Sequence, residues 1–158
     1  MKVLIAGAGI GGLTTALILH ARGVPVQIFE TAAEVREAGV GINILPHAIR
    51  ELEALNLLPN LDAVGLRTRR LTYYTRAGQE VWSELRGTYA GHEVPQFSIH
   101  RGRLQNLLYK AVLNRLGQDA VQTGRRLGGF VQDEAGVTAQ FANSIDGSAG
   151  QTMRGDVL

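Results

Sequence analysis

Cysteine is absent from the 158 residues, which excludes disulfide bonds, a thiolate nucleophile and cysteine-ligated metals. Its absence is typical of a cytoplasmic protein, and we expect that location. Neither sign of charge predominates, since 16 Lys and Arg residues against 14 Asp and Glu residues leave a net charge of only +2. Aromatic residues form only 6% of the chain and do not alternate with the short basic clusters, so we expect no nucleic-acid partner. The four histidines show no metal-ligand spacing, and we expect no metal site.

One long uncharged segment is present, over Val3–Leu19. Its length resembles a signal-peptide core or a short membrane span. Four glycines interrupt it, and glycine is unfavourable inside a helix. We therefore interpret the segment as a strand, a turn and the start of a helix, and we expect no membrane association.

The first thirty residues have the pattern of a βαβ unit. Residues 2–6 form a short apolar run typical of a buried parallel strand. A glycine-rich turn and an apolar-faced helix follow, with Gly23 at the helix end. Residues 24–30 predict a second strand that ends on Glu30. Such a unit predicts an α/β fold with a Rossmann-like parallel sheet.

The turn contains the G-x-G-x-x-G motif of dinucleotide-binding proteins, in its expected place between strand and helix. Its residues are Gly7, Ala8, Gly9, Ile10, Gly11 and Gly12. In this motif the first glycine permits a tight turn, the second lets the backbone approach a pyrophosphate, and the third allows close helix–strand packing. Glu30 follows Gly12 by 18 residues and is placed to accept hydrogen bonds from a ribose diol. Its negative charge disfavours a 2′-phosphate at this site.

The remaining chain predicts a loop, an antiparallel insert and a second α/β portion. We expect a loop from Thr31 to Leu45, then a helix that begins at Pro46. Within 66–99, alternating residues and Gly78 predict a hairpin. A regular apolar face predicts a helix around 104–112, on which Arg101 and Gln105 lie one turn apart. Further strands are expected at 120–123, 126–131 and 137–141, and 154–158 look like the start of another.

Three segments together resemble the single-component FAD-dependent aromatic hydroxylases, the group typified by para-hydroxybenzoate hydroxylase and salicylate hydroxylase. They are Gly7–Glu30, Arg36–Ala48 and His100–Leu108. The resemblance covers the whole chain. The segment Gly39–Ala48 is most similar to family members that act on phenazine-like or salicylate-like rings.

The resemblance implies how FAD is held. The adenosine ribose would lie on Glu30 and the pyrophosphate over the glycine turn. Arg36, in the loop after that acid, would approach the cofactor, and Gly41 would lie in the loop that lines the flavin ring. Arg101 and Gln105 match the Arg-x-x-x-Gln of the helix on the pyrophosphate side, and a backbone contact to adenine is implied near Leu127.

The resemblance also implies the domain organisation. Residues 1–65 and 100–158 would be two parts of a Rossmann-like FAD-binding domain, with 66–99 as the start of an inserted antiparallel substrate sheet. The Gly-Ala-Asp-Gly segment that follows in this family is not in the sequence. We therefore expect a C-terminally incomplete domain, from a longer parent enzyme, that does not hydroxylate alone.

The implied chemistry is hydroxylation of an aromatic small molecule by O2 through a flavin hydroperoxide. FAD would be tightly but non-covalently bound, with NAD(P)H as a transient reductant. We assign no catalytic side chain. His47, His92 and His100 are candidates only because histidine, as a residue type, ionises near neutral pH. Two other hypotheses remain open: another FAD- or NAD-dependent oxidoreductase with the same βαβ start, and a non-catalytic FAD-binding fragment.

Overall fold

A computed structural model of the chain describes residues 1–37, 39–144 and 146–158. The chain divides into two compact units. Unit one contains Met1–Glu37 and Gln105–Leu158, and unit two contains Ala38–Leu104. Each unit is described separately below.

The described residues form eleven strands and four α-helices. In chain order they are β1 Val3–Ala6, α1 Ile10–Ala21, β2 Val26–Phe29, β3 Gly41–Ile44, α2 Pro46–Ala54, α3 Leu58–Val64, β4 Leu66–Arg67, β5 Arg70–Tyr74, β6 Glu80–Leu85, β7 Phe97–His100, α4 Arg101–Leu116, β8 Val121–Gln122, β9 Arg125–Asp133, β10 Gly136–Asn143 and β11 Ala149–Gly155. Two short 3₁₀ turns lie at Gly87–Ala90 and Gln118–Ala120.

Unit one contains the expected βαβ unit. Strands β1, β2 and β8 form a parallel sheet in the order β1-β2-β8, with Val3 opposite Val26. Helix α1 connects β1 to β2 and buries Leu13, Ala16 and Leu17. Val157 forms a parallel bridge to Val3, so the last residues add to the sheet beside β1, as the apolar end of the chain led us to expect. The predicted α/β, Rossmann-like fold is confirmed.

A three-stranded antiparallel meander completes unit one, in the order β11-β10-β9. It shares a hydrophobic core with the parallel sheet, in which the rings of Phe29 and Phe141 stack with centroids 3.9 Å apart. Strands β9 and β10 cover the two strands expected at 126–131 and 137–141. Strand β11 was not predicted, since the expected strand began only at Arg154. The sequence also predicts a turn over residues 145–148, of which Ile145 lies outside the described residues and Gly147 has φ +69°.

Unit two has two small antiparallel sheets. One has the order β3-β7-β4, and the other is the predicted hairpin β5-β6, with Gly78 in its turn at φ +80°. The prediction of a continuous loop from Thr31 to Leu45 is wrong at Gly41–Ile44, because this segment pairs with β7. That pairing is non-local, so no local pattern revealed it. Helix α3 was also missed, whereas α2 begins at Pro46 as predicted.

The pairing of β3 with β7 also places residues 39–65 in the same compact unit as the insert. The units therefore divide the chain after Glu37 and Leu104, whereas the expected domain boundaries follow residues 65 and 99. Those domain boundaries stay predictions.

The described ranges hold neither a membrane-spanning helix nor a cluster of metal-binding side chains. No helix there is long and apolar enough to cross a membrane. Among the same residues, no three or more His, Asp or Glu side chains are grouped closely enough to hold a metal ion.

Candidate cofactor-binding site

The glycine turn of unit one connects β1 to α1, and two of its glycines are required by the backbone itself. Gly7 has φ +111°, a conformation that side chains rarely adopt. A Cβ on Gly12 would lie 2.1 Å from the carbonyl oxygen of Gly7 and 3.1 Å from Cγ2 of Ile5. Gly12 therefore brings the helix against the turn and the strand, which is the role expected for the third glycine of the motif.

The other two glycines leave space that the protein does not fill. A Cβ built on Gly9 or on Gly11 would meet no heavy atom within 4 Å, and neither residue has a positive φ. Nothing within the described fold therefore requires glycine at these positions. Space above a glycine backbone is what a closely approaching pyrophosphate needs, so the turn fits this group.

The start of α1 supplies the matching electrostatics. The first turn of a helix has backbone N–H groups without intrahelical partners and carries partial positive charge. Gly9 is the N-cap residue, no side chain caps the helix, and no acidic residue lies in the first turn. An anionic group placed here would meet N–H groups without intrahelical partners, and no acidic side chain from the first turn of α1.

Glu30 follows β2 and holds the turn from the side. Its Oε2 accepts a hydrogen bond from the backbone N–H of Ala8 at 2.7 Å, and its Oε1 accepts one from Ala32 at 2.8 Å. A carboxylate has about four acceptor positions, so each oxygen can accept one further hydrogen bond. Glu30 thus fixes the shape of the turn and retains capacity for a ribose hydroxyl.

Gln105 also contacts the turn. Its Nε2 donates a hydrogen bond to the carbonyl oxygen of Ala8 at 2.9 Å, although 97 residues separate the two in sequence. Ala8 is therefore held by Glu30 at its N–H and by Gln105 at its carbonyl oxygen. The structure brings together the glycine motif, Glu30 and Gln105, which the sequence analysis had placed around one ligand.

Leu127 lies on β9, which begins beside Glu30. The backbone N–H of Arg125 donates to the carbonyl oxygen of Glu30 at 2.8 Å. The side chain of Leu127 packs against the core that contains Phe29 and Phe141. Its backbone lies two residues along the strand from the Glu30 contact, and a role in holding adenine stays a prediction.

Arg36 is not brought into this arrangement. Its Nε donates to Glu34 at 3.1 Å, and its side chain is 81% exposed. The expected approach of Arg36 to the cofactor would need a different side-chain conformation. It stays a prediction.

Gly41 and Arg101 belong to unit two. Gly41 begins β3 opposite His100, and a Cβ there would meet no heavy atom within 4 Å. The backbone N–H of Arg101 donates to the carbonyl oxygen of Val40 at 3.0 Å. Gly39 has φ +126°, and a Cβ on it would lie 3.2 Å from the Cβ of Arg101. Arg101 is thus fixed at the start of α4 by the segment that precedes β3, and its role stays a prediction.

Sequence reasoning missed two contacts around the site. The backbone N–H of Ala32 binds Glu30, and the side chain of Asn106 donates to Oε1 of Glu37 at 2.7 Å. The second contact fixes the loop after Glu30 to helix α4. Neither had a usable signal, because an alanine shows no side-chain chemistry and the Asn–Glu pair is separated by 69 residues.

Comparisons with known proteins agree with this geometry. The model of the family described as FAD binding domain matches residues 1–156. The phenazine 1,6-dicarboxylic acid hydroxylase of Lysobacter antibioticus is 48% identical over 152 residues, covering 96% of this chain and 37% of that protein. The aurachin C monooxygenase/isomerase of Stigmatella aurantiaca is 32% identical over 160 residues, covering all of this chain and 39% of that protein.

A solved structure has the same architecture. The crystal structure of Klebsiella pneumoniae HpxO complexed with FAD and uric acid matches with a TM-score of 0.77 and 26% identity. The match covers 99% of this chain and 38% of that one. This chain therefore spans less than two-fifths of the length of each of these proteins.

Proposed function

The chain belongs to the FAD-binding domain family, and on that premise we propose that it forms the cofactor-binding part of an NAD(P)H-dependent flavoprotein monooxygenase. The proposed reaction places one oxygen atom from O2 on an aromatic ring. FAD, when bound, supplies the redox chemistry of that reaction. This chain's residues bind and orient the cofactor.

One observation carries the proposal: Gly9 and Gly11 are glycines that the fold itself does not require. Gly7 and Gly12 are explained by backbone conformation and packing, but the space above Gly9 and Gly11 has no occupant from the described residues. This space adjoins the uncapped start of α1. A pyrophosphate explains both features, since it fills the space and accepts hydrogen bonds from the helix start.

Each neighbouring residue then has a definite task. Glu30 fixes Ala8 by accepting its N–H, and offers its remaining acceptor positions to the ribose hydroxyls. Gln105 fixes the same peptide segment from the carbonyl side. We propose that Arg101, Arg36, Gly41 and the backbone of Leu127 complete the cofactor contacts.

The substrate class rests on the relatives. The printed name of the Lysobacter antibioticus protein identifies it as a hydroxylase of a phenazine dicarboxylic acid, and that protein is 48% identical to this chain. We propose a planar aromatic substrate for the parent enzyme of this chain. The alternative of a fragment that binds FAD without catalysis predicts the same cofactor contacts and differs only in activity.

The test is a titration of FAD with the purified chain and its Gly9→Ala variant, followed by flavin fluorescence. The added methyl group meets no protein atom, so the fold should be retained, with a stability change within about 1 kcal/mol. It would occupy the space assigned to the pyrophosphate. We expect FAD affinity to fall by about tenfold or more, equivalent to about 1.4 kcal/mol.

Gly129→Ala is the matched control. Gly129 lies on β9, has no positive φ, and a Cβ there also meets no heavy atom within 4 Å. Gly129→Ala should bind FAD as the unmodified chain does. Unchanged FAD affinity in Gly9→Ala would contradict the assignment of the pyrophosphate to this turn.

A further inference from the structure

A second candidate site lies entirely within unit two, in a cavity of about 460 Å³. The start of α2, the end of β6 and the segment before β7 form its walls. Ligand sites typically measure about 300–1,000 Å³. The cavity is therefore large enough for a small molecule, and none of its lining residues is among the predicted cofactor contacts.

The lining is cationic. Arg50 and Arg86 contribute to the wall, against one acidic residue, Glu84. Glu84 is already paired with Arg86. Arg50 has no hydrogen-bond or ion-pair partner within the described ranges. All the hydrogen-bond donors of the Arg50 guanidinium thus remain available to an anionic ligand.

Arg86 is incompletely satisfied. One of its terminal nitrogens binds Glu84, but its Nε is buried and has no hydrogen-bond partner among the described residues. A buried donor without a partner costs about 1–3 kcal/mol. Arg86 lines the cavity, so this unsatisfied donor belongs to a residue of the cavity wall.

Gln96 adds an amide to the cavity wall. It is 3% exposed and is the one buried polar residue within the described core. Its backbone carbonyl accepts a hydrogen bond from Thr68, which fixes its position in the segment before β7. The fully buried donor at this wall without a partner in the described part of the chain is Nε of Arg86, and a buried donor of this kind is normally hydrogen-bonded.

The rest of the wall is apolar, with Leu45, Pro46, Leu85 and Ala90. We propose that this cavity binds the carboxylate of a planar aromatic acid. Arg50 and Arg86 receive the carboxylate, the Gln96 amide donates a further hydrogen bond, and the ring lies on the apolar wall. The aromatic part of this ligand class rests on the proposed function, whereas the carboxylate part rests on the cavity residues themselves.

The experiment is calorimetric titration of the full chain, with and without saturating FAD, using phenazine-1,6-dicarboxylate as the probe and uncharged phenazine as its comparison. We expect the dicarboxylate to bind and phenazine to bind at least tenfold more weakly. Arg50→Ala should weaken dicarboxylate binding by about ten- to a hundredfold, as for loss of a charged hydrogen-bond partner. Gln96→Glu should weaken it similarly, because it places a negative charge beside the carboxylate.

Arg76→Ala is the control for lost positive charge. Arg76 lies in the exposed turn of the β5-β6 hairpin and does not line the cavity. Circular dichroism checks that Gln96→Glu folds. Arg50 is exposed, so its variant keeps the test decisive if Gln96→Glu does not fold.

Three results would overturn the inference: no dicarboxylate binding, equal binding of uncharged phenazine, or equal weakening by Arg76→Ala and Arg50→Ala. FAD titrations of the same variants separate this inference from the proposed function. Arg50→Ala should bind FAD normally. If the unmodified chain binds no FAD, the proposed function is contradicted. Dicarboxylate binding that depends on Arg50 would still support the carboxylate site in the cavity.

Discussion

Replacing Gly12 by alanine tests whether the glycine turn is closed by helix–turn packing. The added Cβ would lie 2.1 Å from the Gly7 carbonyl oxygen and 3.1 Å from Ile5 Cγ2. Contacts of a Cβ below 3.0 Å are essentially never found, so helix and turn must separate by about 0.9 Å. The nearest atom is backbone, which cannot rotate away as a flexible side chain can.

The expected cost follows from two opposing effects. Overpacking typically costs about 1–3 kcal/mol, whereas replacing glycine by alanine in a helix recovers up to about 1 kcal/mol. Because the contact at 2.1 Å is with a backbone atom, we expect overpacking to cost about 2–3 kcal/mol, so that a net loss of about 1–2 kcal/mol remains. With a urea dependence of about 2 kcal/mol per molar, this lowers the unfolding midpoint by about 0.5–1 M.

Urea unfolding followed by far-ultraviolet circular dichroism measures this effect, and Gly11→Ala is the control. Gly11 lies in the same turn of α1, but its Cβ would meet no heavy atom within 4 Å. Gly11→Ala should therefore keep or raise the midpoint. Equal midpoints for Gly12→Ala and Gly11→Ala would refute the packing argument.

Three further predictions concern other parts of unit one. Glu30→Ala should weaken FAD binding by about 1–3 kcal/mol in a flavin-fluorescence titration, the range for loss of a charged hydrogen-bond partner; unchanged affinity would remove this carboxylate from the site. Phe141→Ala should lower the free energy of unfolding by about 3–5 kcal/mol, because it removes a buried ring stacked on Phe29; a loss below 1 kcal/mol in urea unfolding would contradict this core contact. The hydrogen bond from Arg154 lowers the pKa of Asp133, so this pair stabilises the fold above about pH 4 and the contribution is lost as the pH falls through the lowered pKa. Asp133→Asn should then show a shallower fall of Tm below pH 4 than the unmodified chain, and parallel curves would exclude the pair as a source of acid sensitivity.

Local patterns predicted the elements whose signals are contained in a few adjacent residues. The strand, glycine turn and helix of the βαβ unit were found because each has its own composition, and Pro46 marked the start of α2. The same reasoning missed β3, whose residues 41–44 pair with 97–100. A strand of four residues, beginning with glycine, has no alternation long enough to distinguish it from a loop.

The candidate site likewise has features that the sequence predicted and features that only the fold revealed. The motif located Gly7–Gly12 and Glu30, but not the hydrogen bonds by which Glu30 holds Ala8 and Ala32. Gln105 was expected near the pyrophosphate, and only the fold showed that its amide binds Ala8. The cavity residues Arg50, Arg86 and Gln96 had no sequence signal, because they come from three separate segments of the chain.

The sequence by itself determined the type of fold and the class of cofactor, because both depend on short-range features. A glycine turn between a strand and a helix, followed by an acid after the next strand, is a local requirement for binding a dinucleotide. Only the tertiary structure decided which glycines serve the backbone and which leave room for a ligand. The backbone conformation of Gly7 and the packing of Gly12 account for two of them, whereas the space above Gly9 and Gly11 exists because no other part of the described fold fills it.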